Sequence, residues 1–166
     1  MNIFFVDRDP VIAAQSLCDK HVVKMVLESA QIMCSALYKH GQTNIPYKPT
    51  HKNHPCVVWA AVSRANFNWL SKHAKALCVE YTHRYGKIHK SEAVIDWCIT
   101  HVFPYVGQPT PPAQAMPDQY KSLCPVKAYR TYYINDKLKN MDCRWSRRTP
   151  PEWVLNTNKQ IKAVTT

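Results

Sequence analysis

The chain has 166 residues and carries 22 Lys+Arg against 11 Asp+Glu, a net charge of +11 at pH 7. That length suits one domain with its own core, and 46% hydrophobic residues argue against disorder. No apolar run approaches the roughly 20 residues of a membrane helix, and MNIFFVDRDP turns acidic straight after a short apolar run, unlike a signal peptide. No membrane association is expected, and the expected location is the cytoplasm of a bacterial or phage-infected cell. A charge excess of this size favours a polyanionic partner.

Residues 2–6 read as a short edge strand or an extended arm packed on helices. Asp9 and Pro10 then form a strong helix start, as N-cap and first helical residue. Leu17, Val22, Met25, Val26, Ser29, Ile32, Met33, Ala36 and Leu37 recur at three- and four-residue spacing, which predicts one helix running to Tyr38. Residues 41–55 read as a loop rich in Pro, Asn and Thr. A second long helix is expected from 53–55 to Gly86, with Val58, Val62, Trp69, Leu70, His73, Leu77 and Tyr81 facing inward. Ser91 starts a third, shorter helix to about His101.

Residues 103–124 are Pro-rich and predict an irregular crossover. Pro125 opens a fourth helix, VKAYRTYYINDKLK, followed by the basic aromatic segment CRWSRRTPPEW, with 154–166 expected to be a flexible tail. The expectation is a mostly α, single compact helical domain spanning 1–166, acting as a monomer. Seven cysteines in a chain without an export signal read as reduced core residues.

Three constellations could carry chemistry. On the first helix, His21, Lys24 and Glu28 share a sector, because seven residues span two turns. Lys24 and Glu28 could equally be an ordinary i,i+4 surface pair. The loop THKNHPC sets Lys52 and His54 at a helix N-terminus, where free N–H groups suit a phosphate. It could equally be a polar turn with its own cap. A zinc set of Cys18, His21, His54 and Cys56 lacks the paired spacings of structural sites, so neither metal nor cofactor is expected. Toward the C-terminus, Lys127, Arg130, Tyr132, Arg144, Trp145, Arg147 and Arg148 interleave cations with aromatics, a pattern that can hold phosphates and stack on bases. Lys20 and Arg64 join this set of candidate DNA contacts. The three arginines Arg144, Arg147 and Arg148 have no evident structural role in the sequence.

Asp19-Lys20-His21 with Glu28, the stretch NFNWLSKHAKALCVEYTHRYGK, and AYRTYYINDK occur in an order that resembles the pyrimidine-dimer DNA glycosylase family, the phage endonuclease V type. The resemblance implies a helical domain that bends duplex DNA and flips a nucleotide from the stack. It also implies an N-terminal α-amine that attacks C1′ to form a Schiff base, and a glutamate, here Glu28, that steadies the cationic sugar. Two positions depart from the family pattern. Asn2 stands where the family exposes a small Thr after Met removal, so Met1 is expected to remain. Leu27 stands where an arginine precedes the family's glutamate. The nucleophile is therefore open between the Met1 amine and Lys24, or is absent.

The leading expectation is a DNA glycosylase, with AP-lyase activity where a Schiff base forms, acting on an altered pyrimidine in duplex DNA. In it Glu28, His21, Lys24 and Met1 form the catalytic group. A base-modifying enzyme on the same scaffold and a non-catalytic DNA-binding protein are the two alternatives.

Overall fold

The computed structural model describes residues 1–101 and 105–157. Their regular structure is helical, with no strand among them: α1 (Pro10–Ser16), α2 (Asp19–Lys39), α3 (Pro55–Val62), α4 (Arg64–Tyr85), α5 (Glu92–Thr100) and α6 (Pro125–Tyr132). A single π-helical turn, Tyr133–Lys137, runs on from α6 into a last short turn, α7 (Leu138–Asn140). Residues 152–157 are helical again. A mostly α fold is what the sequence implied, and no described helix is long and apolar enough to cross a membrane.

Helix α2 is the central strut, packed on α3, α4 and α5, while α1 lies on α4. All nine apolar or small residues expected to face inward between Leu17 and Leu37 are buried. The first predicted helix is nevertheless two. Asp9 caps α1 through Oδ1, accepting from Val11 and Ile12 N–H at 2.7 and 3.1 Å. Leu17 and Cys18 then turn extended. The groups freed by that break find partners from the far end of the chain: Cys18 N–H donates to the Tyr133 hydroxyl at 2.9 Å, and Asp19 N–H to the Arg144 carbonyl at 2.8 Å. Nothing local in the sequence announces this break.

The second predicted helix also divides, at Ser63, without a Gly or Pro. Ser63 accepts from Asn66 N–H at 3.1 Å as the cap of α4. The Asn66 amide donates to the Trp59 carbonyl at 2.9 Å and to Thr110 Oγ1 at 2.7 Å, and its Oδ1 accepts from Thr110 N–H at 2.9 Å. One buried amide thus replaces the helical bonds lost at the joint. The division rotates Val58 and Val62 to the surface, against expectation, while Leu70, His73 and Leu77 are buried as expected. Gly86 adopts the left-handed conformation (φ 66°) that ends α4, and its N–H returns to the Thr82 carbonyl at 2.8 Å. Ser91 precedes α5 but makes no side-chain cap; its hydroxyl lies 3.0 Å from that of Tyr47.

Residues 2–6 form no strand. They are the extended-arm alternative, sunk between α2 and α6 with Ile3, Phe4, Phe5 and Val6 all buried. The Phe4 ring lies 4.4 Å from His21 and 5.4 Å from Tyr133, centre to centre. Five of the seven cysteines are buried and free as expected, but Cys124 is exposed and Cys143 only half-buried. The tail boundary also shifts. Residues 154–157 are helical and Val154 is buried, while the expectation for 158–166 lies outside the described residues.

The basic C-terminal segment is tied down by one charge network. Arg84, its side chain fully buried, donates to Glu80 at 2.7 Å, Asp19 at 2.8 Å and the Gln15 carbonyl at 3.1 Å. Arg148 adds a two-pronged pair to Glu80 at 2.6 and 2.7 Å, and Ser146 donates to Asp19 from both N–H and Oγ. Although burial pushes the other way, these donors hold the Glu80 and Asp19 carboxyls below their ordinary values. Removing Arg84 takes one cation from both carboxylates and leaves Glu80 to Arg148 and Asp19 to Ser146, so Arg84→Met should lose about 2–3 kcal/mol of stability in urea unfolding. Acid adds a second test. Burial lowers His21 and His73 to about 4, so the unfolded chain binds more protons than the native one below about 6.5. Stability should fall as pH drops from about 6.5 toward 4, by up to on the order of 3 kcal/mol per histidine.

Candidate active site

The buried arm, α2 and the π-turn enclose a pocket of about 410 Å³, lined by Met1, Asn2, Phe4, Lys20, His21, Lys24, Met25, Glu28, Ala115, Tyr132, Lys137 and Met141. Glu28 sits in its wall, 7% exposed. Its carboxylate is surrounded by nitrogen: Asn2 N–H donates to Oε2 at 2.9 Å, and the Met1 amine and Lys24 Nζ lie 3.8 and 3.4 Å from Oε1. The Lys24–Glu28 pair is thus present, but one partner is exposed and the other lies in a pocket facing the chain's N-terminus. A carboxylate so placed is only tolerable because donors and cations meet both oxygens.

Asn2 explains how the N-terminus arrives there. Its Oδ1 accepts from the N–H groups of Ile3 and Phe4 at 2.8 and 3.1 Å, folding the arm's first turn onto itself. Its Nδ2 donates to the Ala115 carbonyl at 2.9 Å, fastening the arm to the Pro-rich crossover. In the sequence Asn2 registers only as a departure from a family pattern; the asparagine side chain is in fact the clasp of the site. Phe4 has a left-handed backbone (φ 43°), rare for a side chain of its size, where the arm bends past His21.

His21 is 5% exposed, and burial first, then the charges of Lys137 and Lys24, lower its pKa to about 4. Its Nδ1 is 2.6 Å from the Tyr133 hydroxyl, which already accepts from Cys18 N–H. The buried phenol proton needs an acceptor, and the imidazole Nδ1 at 2.6 Å is a better one than the neighbouring Cys18 sulfur. That assigns the neutral tautomer with hydrogen on Nε2, a donor on the pocket wall. Tyr133 owes its position to the π-turn, which also turns Lys137 toward the pocket and over the Tyr132 ring at 4.6 Å. Single π-turns concentrate at functional sites. No sequence pattern signals one: the four-residue spacing of Tyr129 and Tyr133 suggests core packing, and both are buried, but it does not reveal the contact with His21 or the turn of Lys137 toward the pocket.

His54 caps α3, accepting from Cys56 N–H at 3.2 Å. Burial, then the charge of the chain's N-terminus and of His51, lower its pKa, with Glu28 opposing, so the THKNHP loop borders this site. Among the described residues no group of three or more His, Cys, Asp or Glu converges as a metal site would require, the four weighed for zinc included.

The structure gathers Met1, Lys20, His21, Lys24, Glu28 and Tyr132 on one pocket and leaves the other candidates outside it. Lys52 lies over Tyr38, 4.7 Å from the ring centre, and Lys127 is exposed on α6. Arg64 opens α4, its N–H bonded to the Tyr105 carbonyl. Arg144 is an exposed partner of Asp142 at 2.9 Å, and Arg147 donates to the His83 carbonyl at 3.3 Å. Three residues have clear internal work. Arg130 donates to the Val6 carbonyl and Asp7, Trp145 gives its one N–H to the Ser16 carbonyl at 3.0 Å, and Arg148 clamps Glu80. The expectation that Arg148 lacks a structural role is therefore corrected. The acid it serves, Glu80, is 68 residues away, beyond any local pattern.

Nitrogen-15 spectra should show His21 as the neutral Nε2–H tautomer at pH 6, protonating only near pH 4; Tyr133→Phe should remove that tautomer preference. A cationic His21 at pH 6 would contradict the assignment.

Compared with known proteins, residues 1–93 match the family model described as pyrimidine dimer DNA glycosylase. No curated protein and no solved structure matches the chain significantly. The match covers more than half of the 166 residues, including the arm, all of α2 and the Glu28 carboxylate. The chain belongs to the pyrimidine dimer DNA glycosylase family.

Proposed function

We propose that this protein is an N-glycosylase that removes an altered pyrimidine from duplex DNA and then cleaves the strand through a Schiff base. The observation that carries the reading is the Glu28 carboxylate on the wall of a cationic pocket, flanked by the Met1 amine and Lys24 Nζ at 3.8 and 3.4 Å. The pocket volume, about 410 Å³, lies in the range of small-molecule sites and suits one extruded nucleotide.

In this mechanism the glycosidic bond breaks as an amine lone pair reaches C1′, and the base departs with the bonding electrons. Glu28 faces the positive charge that develops on the sugar, where a fixed carboxylate shielded from water is most effective. The amine loses a proton as the sugar ring opens to the iminium, and β-elimination then takes a proton from C2′ and expels the 3′-phosphate. Glu28 is the group placed for these proton transfers. His21 Nε2–H donates to the departing base or a flanking phosphate. Of the two amines we assign the attack to Met1, whose side chain is buried in the pocket wall beside Glu28, whereas the Lys24 side chain is mostly in solvent.

Lys20, Lys24 and Lys137 at the pocket, with Lys52, His54, Arg64, Lys127, Arg144 and Arg147 around it, are the proposed phosphate contacts. Arg130 and Arg148 add charge while holding the scaffold. Tyr132 lies against the extruded nucleotide, and Trp145 supports the wall from within. The protein acts as a monomer and needs no cofactor in this scheme.

The test uses ultraviolet-irradiated, uracil-containing and undamaged duplexes. Glycosidic cleavage and strand breaks should appear only with an altered duplex; the base comes away free from a uracil duplex and stays joined to its neighbour from a cyclobutane dimer. Glu28→Gln should lower turnover about 10²–10³-fold or more while changing DNA affinity little. A fully active Glu28→Gln protein, or altered nucleosides without glycosidic cleavage, would refute the proposal. Affinity should also fall steeply with salt, as phosphate contacts release counterions.

A further inference from the structure

Leu123 is a fully exposed leucine, at 106% of its reference area. An exposed leucine carries no message by itself, because much of any protein surface is apolar. Leu123 differs in how it is held. Its neighbour Ser122 is locked to Gln114 by a reciprocal pair of bonds: Ser122 N–H donates to Oε1 at 3.0 Å, and Gln114 Nε2 donates to the Ser122 carbonyl at 2.7 Å. Ser122 Oγ then donates to the Cys124 carbonyl at 2.8 Å, closing the turn on the other side of Leu123. Pro125 follows at once and starts α6. The leucine therefore stands on a stiff turn whose fixed geometry keeps it in water.

That turn is attached to the pocket at two points. Gln114 adjoins Ala115, which lines the pocket and accepts from Asn2, and Tyr120 lies 5.3 Å from the ring of Tyr132, a second lining residue. Around it the charge is basic: Lys127 is exposed on the first turn of α6, and Lys121 is half-exposed beside Asp118. An apolar tip on a rigid turn that is bonded to the segment forming one wall of a cationic pocket, through Gln114 beside Ala115, fits one kind of partner, a duplex whose base steps can be parted. Apolar side chains enter between base steps in this way and unstack them.

We propose that Leu123 is a wedge that enters the duplex beside the extruded nucleotide and fills the space it leaves. The proposal rests on the nucleotide-extruding function argued above, and the segment lies beyond the residues 1–93 that carry the family match. The wedge lowers the cost of extrusion in an intact duplex and contributes nothing where the target is already unpaired.

The test compares the full chain carrying Leu123 with Leu123→Ala, each with Glu28→Gln to hold the complex. Two duplexes each carry one cyclobutane thymine dimer with 2-aminopurine opposite: one fully paired elsewhere, the other with non-complementary bases around the dimer. Leu123→Ala should bind the paired duplex about tenfold more weakly and lose most of the 2-aminopurine fluorescence rise. It should bind the unpaired duplex as the parent does, with an unchanged thermal transition because the side chain packs on nothing. Equal losses on both duplexes, or none on either, would overturn the wedge while leaving the glycosylase reading intact. A parent protein that binds neither duplex would overturn both.

Discussion

The site depends on keeping one carboxylate, Glu28, out of water. An ionised carboxylate in a protein wall is costly unless its oxygens are met by donors and positive charge. This chain meets them with its own beginning: the Asn2 N–H at 2.9 Å and the Met1 amine at 3.8 Å. Several features of the fold serve that arrangement. The arm must be buried, so Ile3, Phe4, Phe5 and Val6 are apolar and are covered by α2 and α6. It must also end at Glu28 and nowhere else, which the Asn2 clasp to Ala115 secures. The same groups that stabilise the carboxylate place an amine beside it, so the structural requirement and the proposed chemistry coincide.

A second constraint holds the surrounding walls. The break between α1 and α2 frees the N–H groups of Cys18 and Asp19, and both are taken up by residues more than a hundred positions later. Tyr133 accepts one of them and, through the same hydroxyl, fixes the tautomer of His21. The Asp19–Arg84–Glu80–Arg148 network fastens α2, α4 and the C-terminal segment to one another. Part of the excess positive charge that suggests nucleic acid is thus committed to internal pairs. Three other cations, Lys20, Lys24 and Lys137, line the pocket.

The contrast between what could and could not be read from the sequence follows from range. The buried face of α2, from Val22 to Leu37, was legible because burial there follows the helical period. So was the sharing of one face by His21, Lys24 and Glu28. The caps at Asp9 and Gly86 were legible because capping is local chemistry. Both helix breaks were not, since what stabilises them is an Asn66 amide reaching Thr110, and Tyr133 and Arg144 reaching Cys18 and Asp19. The roles of Arg148, Trp145 and Asn2 were hidden for the same reason. Each had a surface or anomalous reading in sequence and a specific partner in space.

Borohydride trapping is the decisive measurement of the proposed attack by an amine facing Glu28. The protein is incubated with ultraviolet-irradiated, uracil-containing and undamaged duplexes in the presence of borohydride, and any adduct is digested and mapped. A covalent adduct is expected with one altered duplex only, borne on the α-amine of Met1 and lost in Glu28→Gln. An adduct on a lysine remote from Glu28, or none with any duplex, would contradict it.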